Sequence, residues 1–209
     1  MNKSLLLAVP LFALAACSEN IPTAPNAMVP TLSVATAPGQ NKIECFQGGG
    51  GICTLDSNGA KGSATLDLTA TPGSYAGVET PASTLNGELL TDVTQLSYHY
   101  TGTTTPTPGT LSFNIPIDSD GNGSFDFYLF VDAFYCPGTD GVVNIISDAN
   151  CIVYAGGVTP YANWAAFVAA YPGGRVSATG SPFILASRTT ANPPAVWTVS
   201  NVKFGKAGK

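Results

Sequence analysis

The chain has 209 residues, enough for one domain and a short appendage. Charged residues make up 10% of it, against about 25% in an average soluble domain, and thirteen acidic residues outnumber eight basic ones. Only Arg175 and Arg188 are arginines, and no basic patch precedes the tail lysines Lys203, Lys206 and Lys209. The balance speaks against nucleic-acid binding, which needs clustered positive charge to neutralise phosphates.

The first sixteen residues carry one early lysine, Lys3, and an apolar run over residues 5–15. That run is too short to span a bilayer and has the layout of an export signal. It ends Leu14, Ala15, Ala16, Cys17, which resembles the lipobox of bacterial lipoproteins. The resemblance implies removal of residues 1–16, lipidation of Cys17 and, with Ser18 rather than aspartate following, delivery to the outer membrane or cell surface. Two or three acyl chains, at about 0.8 kcal/mol per buried methylene, hold a protein firmly on a membrane. Residues 17–42 follow as a tether, with Pro22, Pro25, Pro30 and Pro38 spaced through an Ala- and Thr-rich segment that has little to bury. The remainder, 43–209, is expected to fold.

Four cysteines lie in that remainder: Cys45, Cys53, Cys136 and Cys151. An even number in an exported domain reads as a disulfide framework. Three pairings are open, and the two local ones, Cys45 with Cys53 and Cys136 with Cys151, are expected because each closes a short loop between strands. Zinc is the rival, but there is no CxxC spacing and His99 is the only histidine.

Short strand-like runs cover 52–55, 62–69, 75–79 and 94–100, then 142–146, 151–154, 175–178, 183–187 and 196–204. Turn signals at Pro72 and Gly73, Pro108 and Gly109, and Asn192 to Pro194 separate them. Many short strands joined by turns predict an all-β antiparallel sandwich. His99 shares a strand face with Ser97, opposite Leu96, Tyr98 and Tyr100, so it reads as a surface or ladder residue rather than a base. No GxSxG is present, and the glycines at 48–51 lack the Lys and Ser/Thr of a phosphate loop. No enzyme activity is expected.

The strongest signal is 111–134. Leu111, Phe113, Ile115 and Ile117 alternate with Ser112, Asn114, Pro116 and Asp118; after a turn, Phe125, Phe127, Leu129 and Val131 repeat the alternation. Tyr128 and Phe130 make the second run apolar on both faces, which predicts a strand interior to its sheet. Between the runs, Asp118, Asp120, Asn122, Ser124 (through its carbonyl) and Asp126 fall at positions 1, 3, 5, 7 and 9 of a calcium-loop spacing, with Gly123 at position 6. Position 12 is Leu129, so the bidentate glutamate is missing and Asp132 or a neighbouring loop is left to complete the shell. Calcium, as a structural ion, is one reading. A hairpin turn is the other, because Asp, Asn and Gly are what such a turn wants.

Over 161–171, Trp164, Phe167, Val168 and Tyr171 form one helical stripe, with Asn163 placed to cap and Pro172 to stop it. The stripe reads as core contact, with a ligand platform as the alternative. The central FNIPIDSDGNGSFDFYLFVDA hairpin, the late YANWAAFVAAYPGGRVS segment and the closing AVWTVSNVKFG strand resemble jelly-roll domains of secreted bacterial proteins, including carbohydrate-binding modules. The resemblance implies a jelly-roll-like sandwich with one short helix and a non-catalytic, glycan-binding role; it carries no binding residues. A structural or self-associating envelope protein is the alternative, and a glycan hydrolase the third reading.

Overall fold

A computed structural model describes residues 43–56, 62–80, 85–136 and 138–206. The expected signal, Cys17 and tether lie outside them, and no helix among the described residues is long and apolar enough to cross a membrane.

Among the described residues, thirteen strands form two antiparallel sheets. In chain order they are β1 (Glu44–Gly48), β2 (Ile52–Leu55), β3 (Ala64–Asp67), β4 (Tyr75–Glu79), β5 (Gln95–Gly102), β6 (Leu111–Asp118) and β7 (Phe127–Asp132). Then come β8 (Val142–Asn144), β9 (Val153–Ala155), β10 (Thr159–Tyr161), β11 (Arg175–Val176), β12 (Phe183–Ser187) and β13 (Val196–Gly205). The eight-stranded sheet runs β1, β4, β12, β6, β7, β9, β10, with β11 also on β6; the five-stranded sheet runs β2, β3, β13, β5, β8.

Eight of these strands, β3 to β8 with β12 and β13, carry the topology. Counted one to eight in chain order, they lie 2-7-4-5 in the larger sheet and 1-8-3-6 in the smaller. That is the jelly-roll order, two Greek keys folded into a sandwich. β1 and β2 extend one edge of the two sheets, and β9 and β10 extend the larger sheet at its other edge.

The core is what period-two alternation dictates. Leu111, Phe113, Ile115 and Ile117 of β6 meet Leu66, Leu96, Tyr98, Trp197 and Val199 of the other sheet, all essentially inaccessible. Tyr98 stacks on Phe113 at 6.0 Å between ring centres, and Phe204 reaches Phe113 at 4.7 Å. β13 keeps Val199, Val202 and Phe204 all inside although strict alternation would turn Val202 out. It does so with a bulge between Ser200 and Lys203, where Asn201 takes the left-handed conformation (φ 52°) that asparagine tolerates better than most residues.

Both local disulfides form, with Cα atoms 5.6 Å apart for Cys45–Cys53 and 4.0 Å apart for Cys136–Cys151. The first does more than close a turn. Cys45 belongs to one sheet and Cys53 to the other, so the bond staples the sandwich across its edge. The helix α1 (Trp164–Ala170) is capped by Asn163, whose side chain accepts from the Ala166 N–H, and it buries Trp164 and Phe167. Its stripe is core contact.

Candidate functional site

The turn between β6 and β7 holds the predicted cation ligands. Oxygens of Asp118, Asp120 and Asp126 all lie within 4.8 Å of one another, the first residue buried and the other two exposed. Backbone donors already converge on them. Asp118 accepts from the N–H groups of Gly121 and Gly123 at 2.8 Å and of Asn122 at 3.1 Å. Asp126 accepts from the N–H and hydroxyl of Ser119, which hold its carboxyl below the ordinary value. Asn122 donates to Asp120 and accepts from the Ser124 N–H. Asp118 Oδ1 and Asp126 Oδ2 each already accept two bonds, but every one of the three carboxylates keeps lone pairs on its other oxygen or beside its single bonds, so the three acidic residues fit a hard cation in donor type. Asp132, expected from the sequence to help complete the shell, does not join them: at the far end of β7 it accepts from the Gly109 and Phe134 N–H groups. Arg175 pairs in register with Asp118 and brings one positive charge to the turn.

The second site lies on the outer face of the larger sheet, and the strand register builds it. Glu79, Phe183, Asn114, Phe130 and Tyr154 are successive partners across β4, β12, β6, β7 and β9, forming one row at right angles to the strands. All five point away from the core, because Val78, Ile184, Phe113, Ile115, Leu129 and Val153 point into it. Tyr128 stands diagonally beside the row, opposite Pro116. The rings touch edge to face: Phe46 with Phe183 at 5.6 Å, Tyr128 with Phe183 at 5.3 Å, and Tyr128 with Phe130 at 6.4 Å. Each of these rings is half-buried. β7 is interior to its sheet, between β6 and β9, as its two apolar faces predict; Tyr128 and Phe130 nonetheless face the outside of the sandwich.

Two polar groups sit among the rings. Asn114 is 0% exposed; its amide nitrogen donates to Ser112, while Oδ1 has no hydrogen-bond partner. Glu79 is 8% exposed, and burial, then the neighbouring Glu44 carboxylate, raises its pKa. Glu79 in turn adds to the rise at the Tyr128 phenol, after burial. Neither Asn114 nor Glu79 was singled out from the sequence as a ligand. The available signal was the placement of Asn114 between Phe113 and Ile115 in a strand whose partner is apolar on both faces.

His99 lies on the outer face of the smaller sheet. Its Nε2 lies 3.0 Å from the Asp140 carbonyl and its Nδ1 3.4 Å from the Ser200 hydroxyl. No carboxylate orients the ring through these contacts. Glu44 and Glu79 are adjacent partners on one sheet face rather than opposed across a cleft.

Fold and faces together define a disulfide-stapled jelly-roll sandwich with one aromatic outer face. Comparison of the chain with protein-family models, curated proteins and solved structures finds no match.

Proposed function

We propose that this chain is a non-catalytic glycan-binding module, held on the outer membrane or cell surface through a lipidated Cys17. The observation that carries the reading is the row of half-buried rings on the outer face of the larger sheet. Aromatic faces offer wide, rigid apolar contact at low entropic cost, and the polar groups between them orient a ligand. The lipobox-like ending at residues 14–17 supports the anchor. Edge pairing, the route to a self-associating envelope protein, has little support. Of the four edge strands among the described residues, β8 and β10 are three residues each and Pro160 removes a donor from the second, while β1 and β2, five and four residues long, are tied to one another by the Cys45–Cys53 disulfide.

Calcium belongs to this reading as a structural ion in the β6–β7 turn, held by Asp118, Asp120, Asn122, Ser124 and Asp126. It neutralises three crowded carboxylates and stiffens the hairpin that supplies Asn114, Tyr128 and Phe130.

A glycan-array screen of the full chain in a sugar-free detergent tests the function. Specific binding to at least one glycan class is expected; a blank array at micromolar protein overturns the reading. Mass spectrometry of the mature N-terminus tests the anchor, and an unmodified terminus rules it out.

A further inference from the structure

We propose that the ligand is an uncharged glycan lying along the row of Glu79, Phe183, Asn114, Phe130 and Tyr154, its hydroxyls donating to the Glu79 carboxylate and, once the flanking Phe183 and Phe130 rings turn aside, to the otherwise covered Asn114 Oδ1. This rests on the glycan-binding reading and adds its place, its charge and the sense of its hydrogen bonds.

Three observations converge. The first is Asn114, whose fully buried side chain points to the outer face with its oxygen unpartnered. Folds rarely keep a buried acceptor unpaired, and a ligand that brings a donor resolves it. The second is the register. Phe183 and Phe130 flank Asn114 directly, two strand spacings apart, or about 9–10 Å, so an acceptor lies midway between two apolar surfaces. A sugar ring has this same alternation, with an apolar C–H face and a rim of hydroxyls.

The third is charge. The row carries Glu79, its edge neighbour on β1 is Glu44, and no lysine or arginine stands in it. Asn114 Oδ1 and the ionised Glu79 carboxylate can only accept. An anionic ligand therefore meets acceptors and negative charge, whereas a neutral, donor-rich one is matched. Arg175, on the line of β6 beyond Pro116, pairs with the turn rather than the row.

The test is affinity electrophoresis of the full chain, in sugar-free detergent with calcium present, through gels containing xylan, mixed-linkage β-glucan or galactomannan. Polygalacturonate serves as the anionic comparison. Retardation by at least one neutral polysaccharide and none by polygalacturonate is expected. Phe130→Ala and Tyr128→Ala should each weaken retardation about ten-fold or more, the loss expected when an aromatic anchor is truncated. Asn114→Ala should weaken it too, and Thr198→Ala on the opposite outer face should not. Where a variant lowers the melting temperature, its retardation is compared with the parent's at a temperature at which both are fully folded, so that the loss reports the site. Full retardation in both ring variants overturns the site and leaves glycan binding standing elsewhere on the molecule. Retardation by polygalacturonate alone overturns the charge assignment. No retardation in any gel, with a blank array, overturns both readings; with a positive array, it overturns the neutral-polymer ligand alone.

Discussion

On the outer face of the five-stranded sheet, Thr54, Thr65, Thr198 and Thr101 stand in one register row across β2, β3, β13 and β5. The corresponding row of the eight-stranded sheet reads Glu79, Phe183, Asn114, Phe130 and Tyr154. The inner faces obey one rule, buried aliphatic and aromatic residues at every second position, because the core demands it. The outer faces are under no such demand. Threonine, β-branched with a hydroxyl, is what a solvated strand wants. Half-buried phenylalanine and tyrosine rings around a buried amide whose oxygen is unpaired are not explained by solvation or by the core. The contrast between two faces of one sandwich therefore separates residues that build the fold from those that the proposed function assigns to a ligand.

The largest expected effect falls on both faces at once. Replacing Cys45 and Cys53 together with serine removes the staple between the sheets and should cost about 2–3 kcal/mol, the chain-entropy value for so short a loop. Urea melts of parent and double variant measure it, and no loss would show the sheets to be held by their core alone. Next, Phe183→Ala should cost about 2 kcal/mol, less than a fully buried phenylalanine, because its half-buried ring packs on both Phe46 and Tyr128. Thr198→Ala on the other face should stay within about 0.5 kcal/mol. Equal costs at the two positions would erase the distinction between the faces.

Much of the fold was legible because alternation and turn chemistry agree. β2, β4 and β12 fall at the boundaries expected from sequence, and the helix with its Asn163 cap falls within 161–171. β1 was not singled out: Glu44, Cys45, Phe46 and Gln47 give too short an alternation, and a disulfide rather than a long apolar run secures it. Pro116 in a central strand also argues against the pattern. The fold accommodates it because the Pro116 carbonyl accepts from Ser177 on the β11 side, so its missing N–H falls on that side and not on the β7 ladder. The cation turn was legible as spacing. The aromatic row was not, because it is assembled from strands whose neighbours in the sheet are distant in sequence, and only the register shows that Glu79 and Asn114 flank Phe183.

Three smaller effects bear on the aromatic face. Calcium in the β6–β7 turn should raise stability by about 1.4 kcal/mol at a free concentration ten times Kd, or about 4 °C in melting temperature for a domain of this size. Asp120→Ala should abolish that response in a thermal melt with calcium and chelator, and a parent protein indifferent to both leaves the loop as a turn. Asn114→Leu should stabilise the unliganded protein by about 1 kcal/mol, because it removes an unsatisfied buried acceptor while keeping the volume. A marked loss in Asn114→Leu would show that the bonds to Ser112, not a ligand, account for the residue.

The smallest effect concerns pH and follows from Glu79. Burial, then the Glu44 carboxylate, raises its pKa above the ordinary 4.5. A carboxyl whose folded pKa exceeds its unfolded one holds its proton more tightly when folded. The folded state is therefore favoured below the ordinary value, and stability falls as pH rises from there through the folded pKa, levelling off above it. Asp132 shifts the same way, burial outweighing the hydrogen bonds from Gly109 and Phe134. The exposed Asp126, held low by Ser119, works in the opposite direction, and its contribution is lost only as pH falls below the ordinary carboxylate range. Glu79→Gln removes the first of these. Its melting temperature should exceed the parent's at about pH 7, with the gap closing as pH falls toward about 4, where the parent's Glu79 is protonated as well. Melts of both proteins across that range decide it. A gap that does not change with pH would mean that Glu79 pays no desolvation cost in the folded protein, and that the face holding it is as wet as the threonine row opposite.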